Sequence, residues 1–176
     1  MKKLKKHFKQ NMPIYAVVLV CIVIIGISLF ITRDVAPEEV VVDTSKFKHV
    51  NLQETLELFE SDEPKLLVIS LNTCSATVDY ATSLTIAEAK FGYDTYYLEL
   101  SEIDESQIED YNKLVEKLDY EYNFRGQVDK FGSFIGTTPM TIIIKNKKQV
   151  FGYIGSLDVA TLENITNLYG IATIKS

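Results

Sequence analysis

The run from Asn11 to Thr32 carries no charged side chain, and it limits how the chain can fold more than any other feature. Its central part, Ile14 to Ile31, is almost wholly apolar. A helix needs about 20 such residues to cross the roughly 30 Å hydrocarbon core of a bilayer. Pro13 stands at the start, where a helix tolerates proline because that position needs no N–H. We therefore predict a tail at 1–12 and a transmembrane helix at 13–32.

This apolar run is predicted to be a retained anchor and not a cleaved signal peptide. It exceeds the roughly 7–15 apolar residues of a signal peptide, and no small-residue cleavage site follows it. Cys21 does not fit a lipoprotein cleavage site, because Val20 precedes it where a small residue is required. Cys21 is therefore interpreted as a small apolar residue within the helix.

Charge on either side of the run predicts its orientation. The tail MKKLKKHFKQ holds five lysines and no acid, whereas RDVAPEEVVVD after the run is mainly acidic. Lysine and arginine mark the cytoplasmic side, so the N-terminus should be cytoplasmic, with the rest of the chain on the other side of the membrane. Residues 33–45, which include Pro37 and lack helical periodicity, are predicted to be a stalk, and residues 46–176 an extracytoplasmic domain.

This outer part is strongly acidic. It has all 24 acidic residues but only 13 of the 18 basic ones, a formal charge near −11. A partner with a phosphate backbone needs a basic face, so nucleic acid is not expected to bind. Cys74 is its only cysteine, so no internal disulfide can form, and the core alone must stabilise the domain.

Hydrophobic periodicity predicts alternating strands and helices in the first part of this domain. A short strand at 46–51 should lead into a helix with Asn51 as N-cap and Glu54 completing a capping box. KLLVISL, 65–71, is a continuous apolar run typical of a strand buried on both faces. A helix should follow Cys74 and stop at Gly92, and a tyrosine-rich strand should cover 93–100.

The second part is predicted to contain one more helix, a long loop, a hairpin and a final helix. Apolar residues from Ile108 to Leu118 recur at helical spacing. Residues 123–139 are interpreted as a loop with a helical turn near 128–131. Strands at 140–145 and 149–154 should flank a turn at 146–148, and the last helix should begin at Ser156 and stop at Gly170. The order βαβαβαββα predicts a mixed α/β sheet, parallel first and antiparallel at one edge.

Two stretches of this domain resemble the thioredoxin-like superfamily. The first is VISLNTCSAT, where a buried strand delivers Cys74 to the start of a helix; the second is GTTPMTIIIKNKKQVFGYIG, which resembles the family's proline and final hairpin. The resemblance implies a thioredoxin-like fold in which Pro139 is cis and packs beside Cys74. Among such groups the chain looks most like the membrane-anchored proteins of the bacteriocin transport accessory type, whose members carry a Thr-Cys-x-x-Cys stretch.

The chain departs from that pattern at Thr77, which stands where the second cysteine would be. A dithiol enzyme attacks with one thiolate and resolves the mixed disulfide with the other, so the resolving step is missing here. The helix N-terminus favours a thiolate at Cys74, and Thr77 could add a hydroxyl donor. However, the thioredoxin carboxylate on the strand before the cysteine has no counterpart in LLVISL.

Two functions remain open from the sequence. The preferred one is an accessory or interaction module for an envelope or export protein, with little or no redox activity and a binding surface at Thr73, Cys74, Thr138 and Pro139. The alternative is a monothiol thiol–disulfide exchange protein with Cys74 as nucleophile and Thr77 as the donor to its thiolate. No cofactor is expected. No metal site is expected either, because His7 and His49 lie far apart in the sequence.

Overall fold

The structure is a computed structural model, and it describes residues 43–172. The predicted tail, the predicted transmembrane helix and residues 33–42 of the predicted stalk lie outside these residues. Within 43–172, no helix is long and apolar enough to cross a membrane.

Five strands form one mixed sheet in the order β1-β3-β2-β6-β7. The strands are β1 Lys48–His49, β2 Lys65–Ser70, β3 Thr95–Glu99, β6 Met140–Lys145 and β7 Lys148–Ile154. The first three run parallel, and β6 and β7 are antiparallel to their neighbours. The predicted parallel sheet with an antiparallel edge is therefore confirmed.

Four helices flank this sheet: α1 Leu52–Leu58, α2 Ser75–Phe91, α3 Ile108–Lys117 and α4 Val159–Tyr169. The predicted capping box is present, since the Asn51 side chain accepts from the Glu54 N–H and the Glu54 side chain accepts from the Asn51 N–H. Gly92 and Gly170 end α2 and α4 in the left-handed conformation, as predicted.

The predicted start of the last helix is wrong. Asp158 is the N-cap of α4, and its carboxylate accepts from the Thr161 N–H at 2.7 Å. The Ser156 hydroxyl instead donates to the Ala76 carbonyl at 2.9 Å, which ties the start of this segment to α2. Both residues are good caps by type, so tertiary contact decides between them.

A small hairpin replaces part of the predicted loop. Strands β4 Glu121–Phe124 and β5 Gln127–Lys130 form a separate two-stranded antiparallel sheet. The expected helical turn near 128–131 lies slightly later, as a 3₁₀ turn at Phe131–Phe134. Two further 3₁₀ turns, Leu100–Glu102 and Glu105–Gln107, connect β3 to α3.

The core has two parts, one on each face of the large sheet. Leu66 and Val68 pack with α2 and α4 on one face, whereas Leu67 and Ile69 pack with α1 and α3 on the other. All four side chains have an exposed fraction of 0%. The alternation confirms that β2 is buried on both faces, as its continuous apolar run predicts.

Candidate functional site around Cys74

Strand β2 and helix α2 together position Cys74. After β2 ends at Ser70, the chain turns, with the Cys74 N–H donating to the Leu71 carbonyl at 3.0 Å. Cys74 is the N-cap of α2, but its side chain makes no capping hydrogen bond. The half-exposed sulfur is therefore free to interact with the loop across from it.

That loop carries Pro139. The Thr138–Pro139 peptide bond is cis, as the resemblance implied. β6 runs antiparallel to β2 with Ile69 opposite Met140, so the end of β2 and the start of β6 lie at the same edge of the sheet. The Cys74 thiol lies 3.6 Å from the Thr138 carbonyl oxygen, to which it donates. The structure thus brings Cys74, Thr138 and Pro139 together.

The environment of the sulfur lowers the pKa of Cys74. Partial burial raises this pKa and is the largest single influence. The nearby hydroxyls of Thr138 and Thr77 and the backbone N–H groups of Thr77 and Ala76 favour the thiolate and together outweigh it. Hydroxyls and a helix N-terminus, not a cation, thus favour the thiolate here.

The two threonines predicted beside Cys74 lie in different environments. Thr73 is exposed. Thr77 is 1% exposed, and its hydroxyl lies 2.5 Å from the Ser70 hydroxyl. The hydroxyl of Thr77 is therefore hydrogen-bonded to Ser70, a partner that the sequence did not indicate.

A buried carboxylate that the sequence did not assign to the site lies close by. Glu99, the last residue of β3, is 2% exposed and accepts from the backbone N–H of Asn72 at 2.9 Å. β2 has no acidic residue, as noted from the sequence, but its neighbour β3 supplies one at the level of Ser70. A lone acid inside the apolar strand TYYLE is the signal that could have identified it.

An apolar groove of about 330 Å³ lies next to this region. Its walls come from the turns after β3, from α3 and from the loop that leads to Thr138, and they include Leu100, Ile103, Ile108, Tyr111 and Ile135. Asp104 and Glu105 stand at the groove. No three His, Cys, Asp or Glu side chains between residues 43 and 172 lie close enough to hold a metal ion.

Two observations identify the fold. One is the strand order of the large sheet, and the other is the cis proline that faces a cysteine at the start of a helix. The domain has a thioredoxin-like fold. Solved structures similar to this chain include a thioredoxin from Plasmodium falciparum, at 14% identity and a TM-score of 0.48, covering 69% of this chain and 98% of the other. A second is the oxidised mitochondrial thioredoxin 3 of Saccharomyces cerevisiae, at 13% identity and a TM-score of 0.47, covering 70% and 96%.

A thioredoxin from Aeropyrum pernix is similar at 15% identity and a TM-score of 0.46, covering 68% of this chain and 85% of the other. No protein-family model matches the sequence, and no curated protein matches it significantly. Because these sequence identities are low, the thioredoxin-like assignment concerns the fold only. It rests on the strand order of the large sheet and on the cis proline.

Proposed function

We propose that this chain is a single-pass membrane protein whose thioredoxin-like domain, residues 46–176, lies outside the cytoplasm and binds an extended stretch of an envelope or export protein. The lysine-rich tail and the uncharged run after it support the anchor and its orientation. The resemblance of NTCSAT to the bacteriocin transport accessory type supports an accessory role beside a transport component.

The absence of a second cysteine beside Cys74 is the observation that supports a binding role for this site. Thr77 occupies the place of a resolving cysteine, and its side chain is buried against Ser70. A mixed disulfide formed at Cys74 would have no internal thiol to release it. The domain therefore retains the surface of a thioredoxin-like protein without its dithiol cycle.

Open backbone at this surface supports binding of an extended polypeptide. Among the described residues, none accepts a hydrogen bond from the backbone N–H of Thr138. Extended segments bind by pairing with such open backbone groups, and pockets for alternate side chains provide specificity. The apolar groove is the pocket we assign to such a side chain. Ile108, 58% exposed, is the groove residue with the most accessible apolar surface.

The partner segment should combine an apolar side chain with basic residues. The groove is apolar but has Asp104 and Glu105 at it, and the part of the chain after the tail has a formal charge near −11. Complementary charge speeds encounter and excludes acidic competitors. The same charge argues against nucleic acid as the partner.

Site-specific crosslinking in the native membrane tests this proposal. A photoreactive benzoylphenylalanine placed at exposed Thr73 should crosslink to one extracytoplasmic protein. The matched control carries the same group at Leu168, which is 75% exposed on α4. We expect a discrete adduct from position 73 and none from position 168. Identical adducts from both positions, or none from position 73, would refute the proposal.

The lowered pKa of Cys74 favours a second candidate, monothiol exchange. The Cys74 thiolate would attack one sulfur of a disulfide in a partner protein or small molecule, forming a new S–S bond. The other sulfur would leave as a thiolate and take up a proton, and an external thiol would then release Cys74. Mixed disulfides trapped in cells from the chain with Cys21→Ala, and absent when Cys74→Ala is added, would establish this candidate. The absence of any such disulfide would exclude it.

A further inference from the structure

A second groove, of about 370 Å³, is lined by helix α2 and by the turn that leads into β1. Asp43 and Lys46 line it from the turn, and Val78, Ala81 and Ile86 are among its lining residues on α2. Ile86 is 49% exposed, so residues 43–172 leave an apolar side chain of this groove open to solvent. The volume is within the range of about 300–1,000 Å³ that is usual for binding pockets.

The turn that lines this groove is firmly attached to the domain. The Asp43 carboxylate accepts from the Ser45 N–H at 3.1 Å and from the Ser45 hydroxyl at 2.7 Å. The Thr44 carbonyl accepts from the Phe47 N–H at 3.0 Å. Phe47 is 5% exposed, and its ring stacks on that of Tyr97 at a centroid distance of 5.9 Å. The position of Asp43 is therefore well determined, and the chain that precedes it must begin at the groove.

The residues directly before Asp43 have the chemistry that this groove requires. Positions 40–42 are three valines, and positions 38 and 39 are glutamates. Valine is branched at Cβ and favours an extended backbone, in which three residues span about 10 Å. The valines are therefore within reach of the apolar side chains of α2. The glutamates bring negative charge toward the exposed Lys46, although exposed ion pairs contribute little, so burial of apolar surface has to supply most of the attraction.

We propose that residues 40–42 dock in this groove as an extended segment and cover Ile86. The domain then begins at residue 40, and the stalk predicted from the sequence is shortened to residues 33–39. Because the segment is covalently joined to the groove at Asp43, its effective concentration is high and modest apolar contact suffices to hold it. This inference goes beyond the proposed function, since it depends neither on Cys74 nor on a partner protein.

Disulfide trapping in the full-length chain tests whether the segment occupies the groove. The background carries Cys21→Ala and Cys74→Ala, and Val41→Cys is combined with either Thr82→Cys or Ile86→Cys, two groove positions one helical turn apart. After mild oxidation with copper phenanthroline in detergent, we expect at least one of the two pairs to form a disulfide within a single chain. Peptide mass spectrometry of the monomer band on a non-reducing gel identifies it.

The matched control pair combines Val41→Cys with Val128→Cys. Val128 is 59% exposed on the small hairpin. That hairpin contacts β7, the edge strand of the large sheet opposite β1, where the Tyr122 hydroxyl accepts from the Ile154 N–H at 3.3 Å. A docked segment cannot reach Val128, so this pair measures random collision between two exposed thiols and should form little intramolecular disulfide.

Thiol accessibility provides a second, independent measurement. In the same background with Ile86→Cys alone, Val41→Asp should release the segment and speed labelling by a polar maleimide by about threefold, because a covered thiol reacts only while the segment is open. Val35→Asp, in the same stretch but outside the three valines, should leave the rate unchanged.

Three results would overturn the proposal. One is disulfide formation at positions 82 and 86 no greater than at position 128. Another is disulfides that form only between two chains, which would mean that a second copy occupies the groove. The third is an unchanged labelling rate at position 86 in the Val41→Asp variant. Crosslinking from position 73 does not enter these tests, so the proposed function and this inference can fail separately.

Discussion

Cys74 has three kinds of neighbour: a backbone carbonyl, hydroxyls and the N–H groups of a helix start. The Thr138 carbonyl favours the protonated thiol to which it is bonded, whereas the Thr138 and Thr77 hydroxyls and the N–H groups of α2 favour the thiolate. A neutral environment of this kind tunes a thiol without attracting anions, which is consistent with the proposed binding of polypeptide.

Removing one hydroxyl at this site should raise the pKa of Cys74. Thr138→Val keeps the branched shape but loses the donor to the sulfur, so iodoacetamide alkylation at pH 7 should slow by about threefold. Thr137→Val, one residue earlier, is the matched control and should leave the rate unchanged. A faster rate in Thr138→Val would contradict this account of the sulfur.

The same lowered pKa predicts how the stability of the domain depends on pH. Because the pKa of Cys74 is lower in the folded chain than in the unfolded one, its thiolate stabilises the fold above the unfolded value. That contribution is lost as the pH falls through the folded pKa. Denaturant unfolding of the chain and of Cys74→Ala, at pH 6 and at pH 9.5, measures it. The difference in the free energy of unfolding between the two chains should be larger at pH 9.5 than at pH 6.

At the scale of elements, the helix starts and the loop before Pro139 position the site. Asn51→Ala removes the side-chain acceptor at the start of α1 and should cost about 1 kcal/mol in the free energy of unfolding. Gln53→Ala, exposed in the same helix, serves as the control. Equal losses in the two variants, measured by denaturant unfolding, would show that the capping box contributes nothing.

Gly132, in the 3₁₀ turn before Pro139, lies close to the backbone of α3. A Cβ at this position would overlap the Val115 carbonyl, although the backbone conformation itself needs no glycine. Gly132→Ala should therefore cost about 1–3 kcal/mol, as overpacking does. Ser133→Ala, exposed in the same 3₁₀ turn, should change stability little. Similar melting temperatures for the two variants would contradict the close approach.

The strands of the large sheet have strong hydrophobic patterns, so the sequence predicts them. The small β4–β5 hairpin has a weak pattern, so the sequence does not predict it. β2 and β6 are continuous apolar runs, and their pairing places Cys74 beside Pro139 as the resemblance implied. β5 is exposed along its whole length and offers no alternation to detect. Its hairpin turn uses positive φ at Arg125 and Gly126, and Arg-Gly is a weaker turn signal than Asn-Gly.

The missed carboxylate has a different cause. The sequence shows that β2 lacks an acid, but only strand pairing shows that Glu99 of β3 lies beside Ser70. Its acceptor role depends on Asn72, Tyr97 and Ser101, which come from two separate segments. Local patterns carry no information about such a convergence, because it depends on the register between strands.

At the scale of the whole molecule, the account predicts a domain that works by binding and not by turnover. A lysine-rich tail and an uncharged run would hold an acidic thioredoxin-like domain at the outer face of a membrane. Its surface at Thr73, Cys74, Thr138 and Pro139 would then meet polypeptides close to the bilayer. In the proposed complex the sulfur would contribute to the shape of that surface, and the open backbone of Thr138 would pair with the polypeptide.

Orientation can be measured on intact cells. Protease added from outside should digest the domain, while an epitope fused before residue 1 should survive until the membrane is permeabilised. This follows from the positive-inside rule applied to the five lysines of the tail. Survival of the domain in intact cells, with digestion only after permeabilisation, would reverse the predicted orientation.

The most direct test of the binding account is crosslinking from position 73 in a chain with Cys74→Ala. If recognition depends on backbone pairing and the apolar groove, the adduct should form in the same yield with and without the sulfur. Adding Ile108→Glu, which puts a charge into the groove, should then abolish it. Loss of the adduct with Cys74→Ala alone would mean that the partner is held through the thiol, and the binding account would be wrong.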